Sequence, residues 1–342
     1  MNTPPPPPPP CPDPHRGTEA TEELTLAVDI GGTKISAGLV ADDGTVHAAA
    51  LRPTPRPSGL SPHRRPTAVM DAVDAVLADL ARTPLWHRVT RCGVCSAGPL
   101  DTAAGAVSPV NIPAWRAFPL LDATRTALAR LGSPVPITLV GDGIAMTAAE
   151  HAHGAARGAD NALCMVVSTG VGGGLVLGGR LHTGPTGNAG HIGHITVDHE
   201  GPPCPCGSRG CLETIASGTA IAAWAHAHGF PTDRGRPAGA EALATAARAR
   251  HPLAEAAFER AGKALAAAIA ATATLVDLDT AVIGGGVGQA GDVLLDPVRR
   301  HLPTYAALDF AREITVVRAT LGTTAGLVGA AAAAREAAGS GT

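Results

Sequence analysis

The sequence predicts an α/β protein made of two related halves that face one cleft, and three observations carry that prediction. Two separate stretches follow one plan, in which an apolar strand runs into a glycine-rich turn and returns as a second strand, with alanine-rich helical segments downstream. Strand-like and helix-like segments alternate along the chain, the pattern of layered α/β architectures. Aromatic residues make up only 2% of the 342 residues while 42 are glycine, so small side chains and close backbone approaches must fill the interior.

Residues 1–23 are expected to form an extended, disordered tail, because the run Pro4 to Pro10 fits neither helix nor sheet. An N-terminal α/β domain is expected over 24–130, joined by the C-terminal helix, and a larger α/β domain over 131–342. Leu24 to Asp29 reads as a buried strand that ends in Gly31-Gly32-Thr33-Lys34 and resumes over Ile35 to Val40. Ala162 to Val167 repeats the plan through Ser168-Thr169-Gly170-Val171-Gly172-Gly173-Gly174 into Leu175 to Leu177. Further strands are expected at Arg91 to Cys95, Ile137 to Val140, Ala281 to Ile283 and Ile314 to Arg318. Apolar residues at helical spacing predict helices over Thr67 to Ala81, Leu120 to Leu131, Gly143 to Ala156, Gly218 to His228, Ala238 to Arg250 and Leu253 to Val276, with a terminal helix after Thr323.

Composition narrows the functional classes. A net charge of -3 argues against nucleic-acid binding, and no long uninterrupted apolar run suggests a membrane span, so a cytoplasmic protein is expected. Seven cysteines make no disulfide framework in a chain of this length and suit a reducing compartment. Cys92 and Cys95 have redox-pair spacing but sit in a predicted strand, so they read as small buried hydrophobes.

The other cysteines are the most specific signal. Cys204-Pro-Cys206-Gly-Ser-Arg-Gly-Cys211, with His194 ten residues before the first, offers three thiolates and one imidazole. That donor set suits tetrahedral zinc, and the surrounding prolines and glycines let the chain fold back so that the donors converge. Four protein ligands leave no position for water, so the predicted zinc is structural.

The glycine turns suggest phosphate chemistry. Gly31, Gly32, Thr33 and Lys34 could present backbone N–H groups to polyphosphate oxygens, with Asp29 beside them as a carboxylate for Mg²⁺. Thr169, Gly170 and Gly172 repeat the offer from the other half. Neither turn is a Walker loop, because Lys34 leads into a strand rather than a helix. A third cluster, Gly284-Gly285-Gly286, follows a strand and suits packing against adenosine, although Gly286-x-Gly288-x-x-Gly291 formally matches a dinucleotide fingerprint. A nicotinamide-dependent dehydrogenase rests on that match alone. Asp142 follows one strand and precedes a helix, a position that serves either a helix cap or a catalytic base in the cleft.

Together these stretches resemble the ROK family of sugar kinases and repressors: Asp29-Ile-Gly-Gly-Thr33, Ser168 to Gly174, Gly190-His191-Ile192-Gly193-His194, the cysteine knot and Ile283-Gly-Gly-Gly286. The resemblance spans residues 24 to 335. It implies an actin-like, hexokinase-type fold of two RNase H-like domains closing over ATP and a hexose, in a homodimer or homotetramer. It implies that Asp142 is the general base for the sugar 6-hydroxyl, that Asn111, His191, His194 and Glu213 bind the sugar, and that Thr33, Thr169 and Gly170 contact phosphates.

Where glucokinase members carry Gly-Glu-Ile-Gly-His, this chain has His191, which is similar to the bacterial N-acetylmannosamine kinases and their amino-sugar chemistry. The expected reaction is therefore ATP-dependent phosphorylation of N-acetylmannosamine, with glucose or N-acetylglucosamine as the alternative substrate. Gly141 stands where the family has asparagine, which removes one amide from the sugar site. A sugar-sensing regulator is the alternative of another class, and the 23 residues before Leu24 are too few for a helix-turn-helix module.

Overall fold

The computed structural model describes residues 22–55, 65–109, 112–233 and 236–339. The tail over residues 1–21 and Asn111 lie outside them.

The first half opens with β1 (Leu24–Ile30), β2 (Lys34–Val40) and β3 (Val46–Pro53), followed by α1 (Arg65–Ala81) and β4 (Val89–Ser96). A small hairpin, β5 (Leu100–Asp101) and β6 (Ala106–Val107), precedes α2 (Leu120–Arg130), β7 (Ile137–Gly141) and α3 (Asp142–His153). The sheet has the order β3-β2-β1-β4-β7, antiparallel through the first three strands in sequence and parallel from β1 to β4 to β7.

The second half repeats this with β8 (Ala162–Val167), β9 (Val171–Leu177) and β10 (Arg180–His182), then α4 (Glu213–Ala216) and α5 (Gly218–Ala227). A short hairpin of β11 (Thr232–Asp233) and β12 (Arg236–Pro237) leads to α6 (Ala240–Arg248) and the long α7 (Pro252–Val276). The chain ends through β13 (Thr280–Gly284), α8 (Gly285–Gly288), α9 (Asp292–Tyr305), α10 (Asp309–Arg312), β14 (Thr315–Arg318) and α11 (Ala325–Gly339). The order β10-β9-β8-β13-β14, with the same pattern of directions, is the first sheet's plan again.

Physical reasons for these elements are visible locally. β1 lies at the centre of its sheet and is apolar almost throughout, as a strand covered on both faces must be. β3 is an edge strand that was not predicted: Ala49 and Leu51 face solvent, so its alternation of exposure is not an alternation of polarity. α9 was also missed, because Pro297 and Pro303 lie inside it and proline reads as a helix breaker. The helix expected to reach Ala156 stops at His153, where Gly154 follows.

The joint between the halves is a pair of exchanged helices. α3 leaves the first sheet and packs on β8 and β9, whereas α11 leaves the second sheet and packs on β1, β4 and β7; the two helices also pack on each other. Only glycine allows these approaches. A Cβ at Gly329 would stand 1.7 Å from the Ala145 carbonyl oxygen, one at Gly93 1.9 Å from that of Ala330, and one at Gly143 2.4 Å from that of Gly173. Around this joint Ala27, Cys95, Ala145, Ala148, Ala330 and Ala331 form a small-residue core, while each half keeps a separate apolar cluster behind it.

Candidate active site between the two halves

Register places the acidic residues together. Asp29 pairs with Cys95 and Ser96 with Gly141, so Asp29, Cys95 and Asp142 stand at the carboxyl ends of three adjacent parallel strands. That is where open α/β sheets bind ligands. Cys95 donates its S–H to Asp29 Oδ1 at 3.4 Å. Gly326 lies so close that a Cβ there would be 2.4 Å from Asp29 Oδ2. Burial pushes the Asp29 carboxyl above the usual carboxylate range, against the opposing pull of the Cys95 hydrogen bond and the Lys34 charge.

Asp142 is the first residue of α3, and no side-chain cap bond forms there because Gly141 holds the N-cap position. Its Oδ1 instead accepts from the Gly143 N–H at 2.7 Å, which orients the group. Crowding by surrounding protein raises its pKa; the Gly143 hydrogen bond opposes this, the Asp29 charge adds to it and His191 lowers it. The residue nonetheless keeps an exposed surface, so poor solvation and access to the cleft coexist. Cys92 and Cys95 are fully buried, and burial pushes the Cys92 thiol up to about 12, which makes it a packing residue.

The first glycine turn closes with Gly31 N–H donating to the Lys34 carbonyl at 2.9 Å, leaving Thr33 and Lys34 exposed. Thr54 fixes the turn from β3's far end, its hydroxyl donating to the Gly31 carbonyl at 2.6 Å and its N–H to that of Thr33 at 3.0 Å. Sequence reasoning missed Thr54, since nothing local ties it to Gly31, 23 residues away.

The second turn is held by α4 and α5. Gly218 N–H donates to the Ser168 carbonyl at 2.7 Å, the Thr219 hydroxyl donates to the Thr169 carbonyl at 2.9 Å, and Glu213 Oε2 accepts from Val171 N–H at 2.9 Å. Gly172 and Gly170 are left partly accessible. The third cluster adjoins it: a Cβ on Gly286 would be 3.5 Å from Ser168 Oγ, and Gly285 has φ +84° against Val167. Gly284 ends β13, and Gly286 to Gly291 forms one helical turn and a bend, in a sheet whose first strands are antiparallel. β13 itself lies between parallel neighbours, but Gly286 and Gly288 fall inside the short α8 and the order β10-β9-β8-β13-β14 is not that of a doubly wound dinucleotide fold, so the dehydrogenase reading is withdrawn.

The Cys/His group converges. His194, Cys204, Cys206 and Cys211 place their donor atoms within 4.8 Å of one another. Cys204 Sγ lies 3.7 Å from His194 Nδ1, and Cys206 Sγ lies 3.7 Å from Cys211 Sγ. A tetrahedron with arms of about 2.3 Å has edges of about 3.8 Å, so the spacing fits one zinc ion. Glu213 follows two residues after Cys211, which ties the position of this carboxylate at the second turn to the cysteine loop. His191 precedes the group; its ring lies 6.4 Å from that of His194 and within electrostatic reach of Asp142.

Two duplicated halves, joined by exchanged helices and presenting carboxylates and glycine turns to the cleft between them, define the actin-like ATPase and hexokinase class of fold. The ROK family's sequence profile matches residues 25–337, and this chain belongs to that family. It is 33% identical over 326 residues to the glucokinase of Streptomyces coelicolor, covering 92% of this chain and 98% of the relative. It is 36% identical over 312 residues to the N-acetylmannosamine kinase of Escherichia coli O139:H28, covering 90% and 97%. Among solved structures, the ROK family glucokinase of Streptomyces griseus in complex with glucose and AMPPNP superposes with a TM-score of 0.76 at 33% identity, covering 92% of this chain and 99% of that one. Among the described residues, no helix is long and apolar enough to cross a membrane.

Proposed function

We propose that this protein transfers the γ-phosphoryl group of ATP to the 6-hydroxyl of an N-acylhexosamine, with N-acetylmannosamine as the preferred substrate. The observation that carries this reading is the position of His191, within electrostatic reach of the poorly solvated Asp142. Asp142 accepts the hydroxyl proton, the sugar oxygen bonds to the γ-phosphorus, and ADP leaves with the electrons of the broken P–O bond. The raised pKa of Asp142 makes the carboxylate a stronger base than an ordinary aspartate.

Gly31, Gly32, Thr33 and Lys34 would hold phosphates from one side and Thr169, Gly170 and Gly172 from the other, with Gly284, Gly285 and Gly286 under the adenosine. Asp29 would hold Mg²⁺, which neutralises phosphate charge when bound. His194, Cys204, Cys206 and Cys211 would hold a structural zinc, and Asn111, His191, His194 and Glu213 would contact sugar hydroxyls. A homodimer or homotetramer in the cytoplasm is the expected working form.

The likeness to a glucokinase supports a second reading, in which glucose or N-acetylglucosamine is the substrate. Release of ADP measured over a panel of these sugars separates the two: N-acetylmannosamine should give the highest kcat/KM. A higher value for glucose would favour the second reading, and turnover of no sugar would leave a non-catalytic sugar sensor.

A further inference from the structure

The loop between β10 and the His191 turn is clasped to the opposite half by one side chain. Asn188 Oδ1 accepts from the Leu100 N–H at 3.0 Å while its Nδ2 donates to the Leu100 carbonyl at 2.7 Å. Only one orientation of the amide satisfies both bonds. Beside it, Gly187 has φ +79°, and a Cβ there would be 2.2 Å from Thr102 Cγ2, so the loop is pressed against the β5–β6 hairpin of the first half. The backbone carbonyl of the same asparagine lies 2.8 Å from His191 Nδ1. A carbonyl only accepts, so Nδ1 carries the hydrogen, and the neutral ring has a bare lone pair on Nε2. That nitrogen lies against Gly98, where a Cβ would stand 3.2 Å away, so the absence of a side chain there leaves Nε2 unobstructed.

We propose that Asn188 is a positioning residue that fixes His191 as a hydrogen-bond acceptor toward the substrate, so that the group read at this point is an N–H or O–H donor. The acylamino N–H of a 2-acylaminohexose is such a donor. The identification of the donor with a sugar rests on the phosphotransfer proposed above; the ring tautomer does not.

The test is nitrogen-15 NMR of the histidine rings in the full-length labelled protein, with His191 assigned by the loss of its signals in His191→Gln. The wild type should show the hydrogen on Nδ1, and Asn188→Ala should move it to Nε2. In steady-state assays with N-acetylmannosamine, Asn188→Ala should raise sugar KM about 5-fold, near the weight of one hydrogen bond, with little change in KM for ATP. Gly98→Ala should raise the same KM while leaving the tautomer as in the wild type. Hydrogen on Nε2 in the wild type overturns the proposal whatever sugar is used, and so does an Asn188→Ala protein with unchanged tautomer and sugar KM. If the tautomer behaves as expected but no sugar is turned over, the kinase reading fails and the clasp stands.

Discussion

Asp142 and Asp29 each combine a raised pKa with a place at the cleft, and a single chemical consequence follows for both. A carboxylate held above its ordinary pKa binds its proton more tightly in the native state than in the unfolded chain. The native state is therefore favoured below the unfolded pKa, and that contribution is lost as pH rises through the raised native value. Above the unfolded pKa both groups therefore cost stability. Asp142→Asn should lower kcat by about 10²–10⁴, the usual worth of a general base, while sugar binding persists and the thermal midpoint at pH 7 rises. Undiminished turnover would remove Asp142 from its role, and a falling midpoint would contradict the burial argument. The acid limb of the kcat profile should likewise sit above the ordinary aspartate range.

Gly141 stands where the resemblance leads one to expect an asparagine, and the space around it makes the consequence testable. Its backbone has φ -70°, open to any residue, and an added Cβ would meet only Leu100 Cδ1 at 3.7 Å. Gly141→Asn should therefore fold normally and lower sugar KM by about 2- to 10-fold if the amide gains one hydrogen bond. An unchanged KM across the sugar panel would mean that the missing amide has no bearing on affinity.

At the scale of elements, the exchanged helices α3 and α11 carry the strictest packing. The Gly329 and Ala145 contact leaves no room for a methyl group on backbone atoms, so Gly329→Ala should destabilise the protein by about 1–3 kcal/mol or more in urea unfolding. Gly132→Ala offers a contrast of a different kind: nothing lies near it, but its φ of +71° makes the substitution strained locally rather than at the joint. The cysteine loop is the other demanding element. Removal of the proposed zinc by a chelator should weaken sugar binding measured by calorimetry more than binding of a non-hydrolysable ATP analogue, because the loop holds His194 and Glu213 but not the first glycine turn. Equal loss of both ligands would contradict a local role for the metal.

These elements differ in how legible they were. The two strand–turn–strand units, the zinc-like spacing and Asp142 at a strand end could be read in the sequence, because each is a local pattern. What could not be read is contact between distant segments: Thr54 under the Gly31 turn, Asn188 on Leu100, and Thr219 on the second turn. Glu150 belongs with them. It looks like a surface residue of an alanine-rich helix, yet it is fully buried and accepts N–H bonds from Ala155, Thr320 and Leu321, tying α3 to the segment that precedes α11. β3 and α9 were missed for the separate reason that exposed apolar residues and internal prolines hide their period.

At the scale of the molecule, duplication explains why one cleft receives groups from both halves. Each sheet ends in a glycine turn and in parallel strand termini, and the helix exchange sets one half against the other, so the acidic residues, the second glycine turn and the His191 loop come together. His191, rather than the fold, is what separates an N-acylhexosamine substrate from glucose in this account. The most direct test is a competition in one vessel, with equal N-acetylmannosamine and glucose, limiting ATP and products resolved by mass spectrometry. N-acetylmannosamine 6-phosphate should dominate; an excess of glucose 6-phosphate would contradict the account.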